Sequence, residues 1–219
     1  MASISITLVL IVMTAFISYQ AFQRPDMKQK LMFNPYAVKH RGEWHRFISH
    51  GFIHADWNHL IINMVMLYLF GTQLEYLLNY IFGSTWAPLG FVLMYLSAII
   101  IAAVPDYYRH NDFMAYNSLG ASGATSALLM AYVFFSPWGW FLFPPLPAII
   151  LAVAFLYYES YMDKRGGSGK AHNAHFWGAV YGFVFIFISA QAFAPEWITR
   201  FFLELIAGPV WSDFPLLGR

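Results

Sequence analysis

Two side chains in this sequence could together do nucleophilic chemistry. Ser122 stands in the run Gly120-Ala121-Ser122-Gly123-Ala124-Thr125-Ser126, where small residues open an apolar stretch. A hydroxyl there can bond back to its own helix, and Gly120 and Ala124, four apart, are the ordinary signature of close packing between membrane helices. Alternatively it can be aimed at a carbonyl carbon, provided a base takes its proton. His175 is the natural base. It lies in the first turn of another apolar stretch, His172 to Gly182, and an ionisable group at membrane depth is a functional hypothesis by default. Gly178 and Gly182 follow it at i+3 and i+7, thinning one side of that helix so that a neighbour can approach. Two such helices could bring hydroxyl and imidazole within hydrogen-bond reach.

Other polar residues stand out against the apolar background. His59 and Asn63, four apart, share one face of a helix, where they either serve the chemistry or hydrogen-bond a neighbouring helix. Glu75, lying between Gly71 and Gly83, needs an internal partner or the far interface, and reads as a structural tie. His175 has no carboxylate close to it on its own apolar stretch, so a Ser-His dyad is the simpler expectation. His50, His54 and His59, with His172 and His175, also have spacings that could ligate a metal or haem, although no His-Glu-x-x-His occurs. The expectation here is no metal and no cofactor, with the histidine-ligated metal or haem protein as the alternative.

The elements that must carry these residues are membrane helices. The chain has 219 residues, 59% apolar and only 11% charged, against roughly 25% charged in a soluble domain. A net charge of +1 excludes a strongly basic nucleic-acid surface. Cysteine is absent, which excludes disulfides and thiolate metal sites. Six spans are expected, at about residues 4–21, 57–82, 87–104, 120–137, 147–161 and 172–193. The first lacks a basic flank and a clear cleavage site, so it reads as a retained helix. The fourth is short of the ~20 residues a full crossing needs, which places Ser122 below the surface, at the floor of a water-filled recess.

The connections are unequal. Residues 22–57 mix Arg and Lys with Phe33, Tyr36, Trp44 and Phe47, and read as a long loop at the interface. Residues 105–119 read as a polar loop, 138–147 as an aromatic turn, and 163–170 as a glycine-rich connector or mobile lid. From Pro195 an amphipathic helix, with Trp197, Phe201, Phe202 and Leu205 on one side, is expected along the membrane surface. The whole chain, 1–219, is expected to form one membrane domain with this interfacial tail.

In order and placement these motifs resemble the rhomboid family of intramembrane serine proteases. Gly120-Ala121-Ser122-Gly123 is similar to the family's Gly-x-Ser-Gly, and His175 with Gly178 and Gly182 to its histidine and following glycines. His59 and Asn63 resemble its His-x-x-x-Asn, Gly71 and Glu75 its Gly-x-x-x-Glu, and Arg46, His50 and His54 its first-loop segment. The family's Trp-Arg pair is His45-Arg46 here, with Trp44 one position early, and the aromatic that some members carry four residues after the nucleophile is Ser126. The resemblance implies an all-α, six-span bundle with Ser122 as nucleophile and His175 as base. It assigns the oxyanion donors to the Ser122 N–H, His59 and Asn63. It further implies membrane-spanning protein substrates within the bilayer, a recess opening away from the side of both termini, and a prokaryotic inner membrane. A catalytically inactive relative that only binds membrane proteins is the other alternative.

Overall fold

The computed structural model describes residues 5–141, 145–165 and 172–210. Their architecture is an all-α polytopic membrane fold. The helices are α1 (Ile6–Gln23), α2 (Pro25–Leu31), α3 (Pro35–Arg41), α4 (Arg46–Ser49), α5 (Trp57–Leu77), α6 (Asn79–His110), α7 (Ser122–Phe135), α8 (Ala148–Arg165), α9 (His172–Phe193) and α10 (Glu196–Ala207). Among them α1, α5, α6 and α9 are long and apolar enough to cross a membrane, while α7 is shorter.

Helix α7 is the centre of the bundle. Eleven of its 14 residues are buried, and it touches α5, α6 and α9, so it has no broad face left for lipid. The other spans keep an apolar outer side: Val12, Phe16, Ile62, Tyr68, Leu93, Val153 and Ile188 are all exposed in the protein alone. Such a shell is solvated by hydrocarbon rather than by water. Inside it, Leu67, Leu74, Phe91, Met94, Tyr95, Leu128 and Ile186 form one core.

Several boundaries differ from expectation. The long first loop is not irregular: Pro25 and Pro35 each start a short helix in the first turn, where a missing N–H costs nothing. Asn34 caps the second of these at the Ala37 N–H, 2.7 Å away. The 105–119 loop is also shorter than expected, because α6 continues to His110. Buried Asp106 holds that extra turn, accepting from Asn173 Nδ2 at 2.7 Å and from the Tyr116 hydroxyl at 2.7 Å. Helix α5 ends at Leu77, but the backbone leaves helical geometry only at Gly83 inside α6 (φ 70°, ψ 161°), just past the expected end of the second span at Phe82.

The tail helix α10 is amphipathic as expected but does not use its whole apolar side on the membrane. Trp197 packs on Phe135 and Phe201 on Phe134, so these two rings close the bundle, while Phe202, Leu203 and Ile206 stay exposed. The expected lid at 163–170 falls largely on residues outside the described ones, as does Phe143 of the aromatic turn.

Candidate active site

The first loop fixes the backbone that leads into Ser122. Phe33 and Ser118 exchange backbone bonds of 2.8 and 3.0 Å, and the Gly120 N–H donates to the His50 carbonyl at 2.9 Å. The Ala121 N–H donates to His54 Nε2 at 3.3 Å. His54 must then carry its proton on Nδ1, which faces Ser18 Oγ at 2.9 Å, and Ser18 in turn donates to the Phe52 carbonyl at 3.1 Å. Burial keeps His54 neutral, lowering its pKa to about 3. His50 is likewise lowered to about 4 by burial, with its Nδ1 2.8 Å from the Arg46 carbonyl. Arg46 itself is buried. It pairs with Glu43 and donates to the carbonyls of Gln29 and Met32 at 2.8 and 2.6 Å. The sequence singled out Arg46, His50 and His54, and the structure places all three as supports of the Ser122 loop or of the segment beneath it.

Gly120 is required twice. Its φ is 119°, and a Cβ there would lie 2.6 Å from His59 Cε1. Beyond it α7 begins at Ser122, and the preceding Ala121 offers the first turn no side-chain cap. The Ser122 N–H is one of the donors that the start of a helix leaves without an intrahelical partner, at the positive end of the helix dipole.

The two candidate reactants meet. His175 Nε2 lies 2.7 Å from Ser122 Oγ. The approach depends on the glycines of α9, because a Cβ on Gly178 would stand 2.1 Å from the Gly123 carbonyl oxygen and one on Gly182 2.1 Å from that of Ala127. Gly123 is tight on its other side too, with Ala102 Cβ at 2.6 Å from where its own Cβ would be. Gly71 gives the same service at the α1–α5 contact, where a Cβ would meet Thr7 Oγ1 at 2.7 Å. Glu75, as expected of a tie, accepts from Ser5 Oγ at 3.1 Å and from the Thr7 N–H at the start of α1.

His59 and Asn63 stand on α5, whose start is fixed by Asp56 accepting from the His59 N–H at 2.9 Å. Asn63 is buried and bridges to α7: Thr125 Oγ1 lies 3.2 Å from Asn63 Oδ1 and 3.2 Å from the Ser122 carbonyl oxygen. The amide orientation that satisfies Thr125 leaves Nδ2 as the group bonded to the His59 carbonyl, at 2.9 Å, with its second N–H to spare. The His59 ring lies against Gly120, two residues from Ser122.

Beside Ser122 is a small cavity of about 20 Å³, lined by His50, Ala102, Gly120, Ser122, Gly123 and Ala174 among others. That is room for a single water. A wider cleft of about 380 Å³ lies on the first loop, at Gln29, Asn34, Arg41 and Arg46, but has no nucleophile beside a base.

One carboxylate at the site was not foreseen. Glu159 of α8 is buried, with its Oε2 3.2 Å from His175 Nδ1 and 2.6 Å from His172 Nδ1. The expectation of no carboxylate close to His175 concerned its own helix, and α8 brings one to it from across the bundle. The missing aromatic at Ser126 is also met from α8, where Phe155 stacks near His175 with ring centres 6.5 Å apart. Glu159, His172 and His175 each offer a ligating atom within 4.8 Å of the others, a cluster that His50, His54 and His59 do not join.

Residues 41–192 match the family model described as Rhomboid domain. The chain belongs to the rhomboid family. The rhomboid match runs from the end of α3 almost to the end of α9, so it includes every helix that carries Ser122, His175, His59, Asn63 and Glu159. Among curated proteins the chain is 26% identical over 183 residues to "RHOMBOID-like protein 12, mitochondrial" of Arabidopsis thaliana, covering 75% of this chain and 52% of that protein. It is 32% identical over 93 residues to "Putative rhomboid protease YdcA" of Bacillus subtilis (strain 168), covering 42% of each. The chain thus spans about half the length of the curated relatives it matches.

Proposed function

We propose that this rhomboid is an intramembrane serine endopeptidase that cleaves peptide bonds in or near the membrane-spanning segments of other proteins. The observation that carries the reading is the 2.7 Å contact between Ser122 Oγ and His175 Nε2, at the uncapped start of a buried helix. In the first step Ser122 Oγ bonds to the scissile carbonyl carbon, its proton passes to His175 Nε2, and the carbonyl π pair moves onto oxygen. The Ser122 N–H, Asn63 Nδ2 and His59 are the donors for that oxyanion, a role worth about 3 to 4 kcal/mol per donor in the transition state. Collapse breaks the C–N bond, and His175 Nε2–H protonates the leaving amine. Water, for which the adjoining cavity has room, then gives its proton to His175 and its oxygen to the acyl carbon; the C–Oγ bond breaks, and His175 Nε2–H returns the proton to Ser122 Oγ.

The test is a set of three purified variants and a probe. Ser122→Ala, His175→Ala and the double variant should be about equally inactive while remaining folded, because residues acting as one unit are non-additive. A fluorophosphonate should label wild type and not Ser122→Ala, with no effect of chelators. Retained proteolysis in Ser122→Ala would remove the serine mechanism.

A second reading has one observation in its favour, the spacing of Glu159, His172 and His175. It makes the protein a metal binder, and loss of activity on chelation would put it first. An inactive binding relative is the third reading. It would show as wild-type protein that neither cleaves nor takes the probe. The chain is an integral membrane protein, but the relatives, one named mitochondrial and one from Bacillus subtilis, give the prokaryotic inner-membrane expectation no support.

A further inference from the structure

We infer that Glu159 is a positioning residue for His175, and that His172 is the second anchor that holds the Glu159 carboxylate in place. The inference rests on the reading of Ser122 and His175 as nucleophile and base, and adds to it a third helix.

The argument is one of proton placement. A single oxygen, Glu159 Oε2, is approached by two imidazole nitrogens, His172 Nδ1 at 2.6 Å and His175 Nδ1 at 3.2 Å. An ionised carboxylate accepts at both contacts, whereas a proton on Oε2 would make that oxygen the donor in one of them. Both contacts are favourable together when Glu159 is ionised and both histidines carry their proton on Nδ1. For His175 that tautomer leaves Nε2 bare, and Nε2 is the atom 2.7 Å from Ser122 Oγ. For His172 it leaves Nε2 as an acceptor, and that nitrogen is buried without a partner. A proton there would be a buried unpaired donor, so His172 gains nothing by the other tautomer. Once Ser122 has given its proton to His175, the Glu159 charge faces the new imidazolium and the proton stays on Nε2, ready for the leaving amine. Glu159 itself takes no proton.

The surroundings make this arrangement stiff. Glu159 and His172 are both about 4% exposed, so neither rotates into solvent. Asn173, next to His172, is tied to Asp106 of α6 at 2.7 Å. One turn past Glu159, Asp163 accepts two bonds of 2.9 Å from Arg109, also of α6. Phe155, one turn before Glu159, lies over the His175 ring. Helix α8 thus meets His175 with both an aromatic and a carboxylate, and α6 braces both helices.

Two measurements test the inference. In ¹⁵N-histidine-labelled Ser122→Ala protein, where no turnover is needed, His172 and His175 should both show a proton on Nδ1 and a bare Nε2. A proton on Nε2 of His175 overturns the inference, and fluorophosphonate labelling of the wild type then tests the serine mechanism separately. In kinetics, Glu159→Gln should lower kcat by about 10²- to 10⁴-fold with KM nearly unchanged, as expected when a base loses its orienting carboxylate. Glu159→Asp, which keeps the charge on a shorter arm, should recover part of that loss, and a merely structural role would give no such rescue. Folded Glu159→Gln with wild-type kcat overturns the inference. Where Glu159→Gln does not fold, the histidine spectrum decides alone. Wild type that never cleaves and never takes the fluorophosphonate would instead sink the protease reading.

Discussion

Asn63 separates chemistry from packing at the scale of single residues. It is buried and bonded both to its own helix and to Thr125 of α7, so a purely structural role would make its loss a stability defect. As an oxyanion donor it should matter mainly to rate: Asn63→Ala is expected to keep its fold in mild detergent and lose about 10²- to 10³-fold in kcat. Normal turnover by whatever fraction stays folded would remove Asn63 from the mechanism. Thr125→Val should show a weaker form of the same loss, since it leaves Asn63 Oδ1 without its donor. Residues of this kind were legible because they sit at fixed offsets within one helix: Gly120 before Ser122, Asn63 one turn after His59, Gly178 and Gly182 after His175. Glu159 was not legible for the converse reason. It lies on a different helix, separated from His175 by the 163–170 connector, and no local spacing records which faces of two helices will meet.

Helices α7 and α9 form the crossing on which the site depends. Because a Cβ at Gly182 would meet the Ala127 backbone 2.1 Å away, no side chain can swing aside to make room. Gly182→Ala should therefore destabilise the bundle by about 1 to 3 kcal/mol, the usual cost of overpacking, read as a lower unfolding midpoint in detergent. Gly178→Ala meets Gly123, the residue after Ser122, and should in addition lower turnover by spreading the Ser122–His175 pair. Unchanged midpoints in both variants would mean that the helices are not this close. The shortness of α7 was visible in the sequence, from Pro137 ending the apolar run. The last turn of α6 was hidden, because Pro105 and the polar residues after it look like a break. What overrides that local signal is the buried Asp106, whose partners Tyr116 and Asn173 come from a loop and from α9.

The first loop couples the stability of the whole molecule to pH. His50 and His54 are both neutral in the folded protein, with pKa values lowered by burial to about 4 and about 3 from 6.5. In the unfolded chain they bind protons more readily than in the fold, so stability rises with pH across that interval. The stabilisation is complete above about 6.5 and is lost as pH falls toward the folded values. His54 is faced by His59, which disfavours its charge, and by Asp56, which favours it, and the burial effect is the largest. The unfolding midpoint should therefore drop between pH 7.5 and pH 5, and His54→Gln, which cannot titrate, should flatten part of that slope. Equal midpoints at the two pH values would contradict the buried neutral state.

The fold also places charge asymmetrically across the membrane, and two arguments about orientation then conflict. Lys39 pairs with Asp112, and Arg109 with Asp163, so the first loop, the 111–119 loop and the end of α8 lie on one side, the side of Ser122. That side carries Arg24, Lys28, Lys30, Lys39, Arg41, Arg46, Arg109, Lys164 and Arg165, whereas α10 carries Arg200. Helix α10 sits at the other end, packing Phe201 against Phe134 near the end of α7. The positive-inside tendency would put the Ser122 side in the cytoplasm. The rhomboid resemblance puts it outside, and many of these cations are already committed: Arg46 is buried on Glu43, and Lys28 donates to the Ala55 carbonyl. We propose the outward-facing recess. The chain has no cysteine, so a single introduced thiol gives an unambiguous reading. Asp26→Cys, exposed beside the first loop, should react with an impermeant maleimide in intact cells, and Thr199→Cys, exposed on α10, only after permeabilisation. The reverse pattern would show that the positive-inside bias governs this chain and that Ser122 opens toward the cytoplasm.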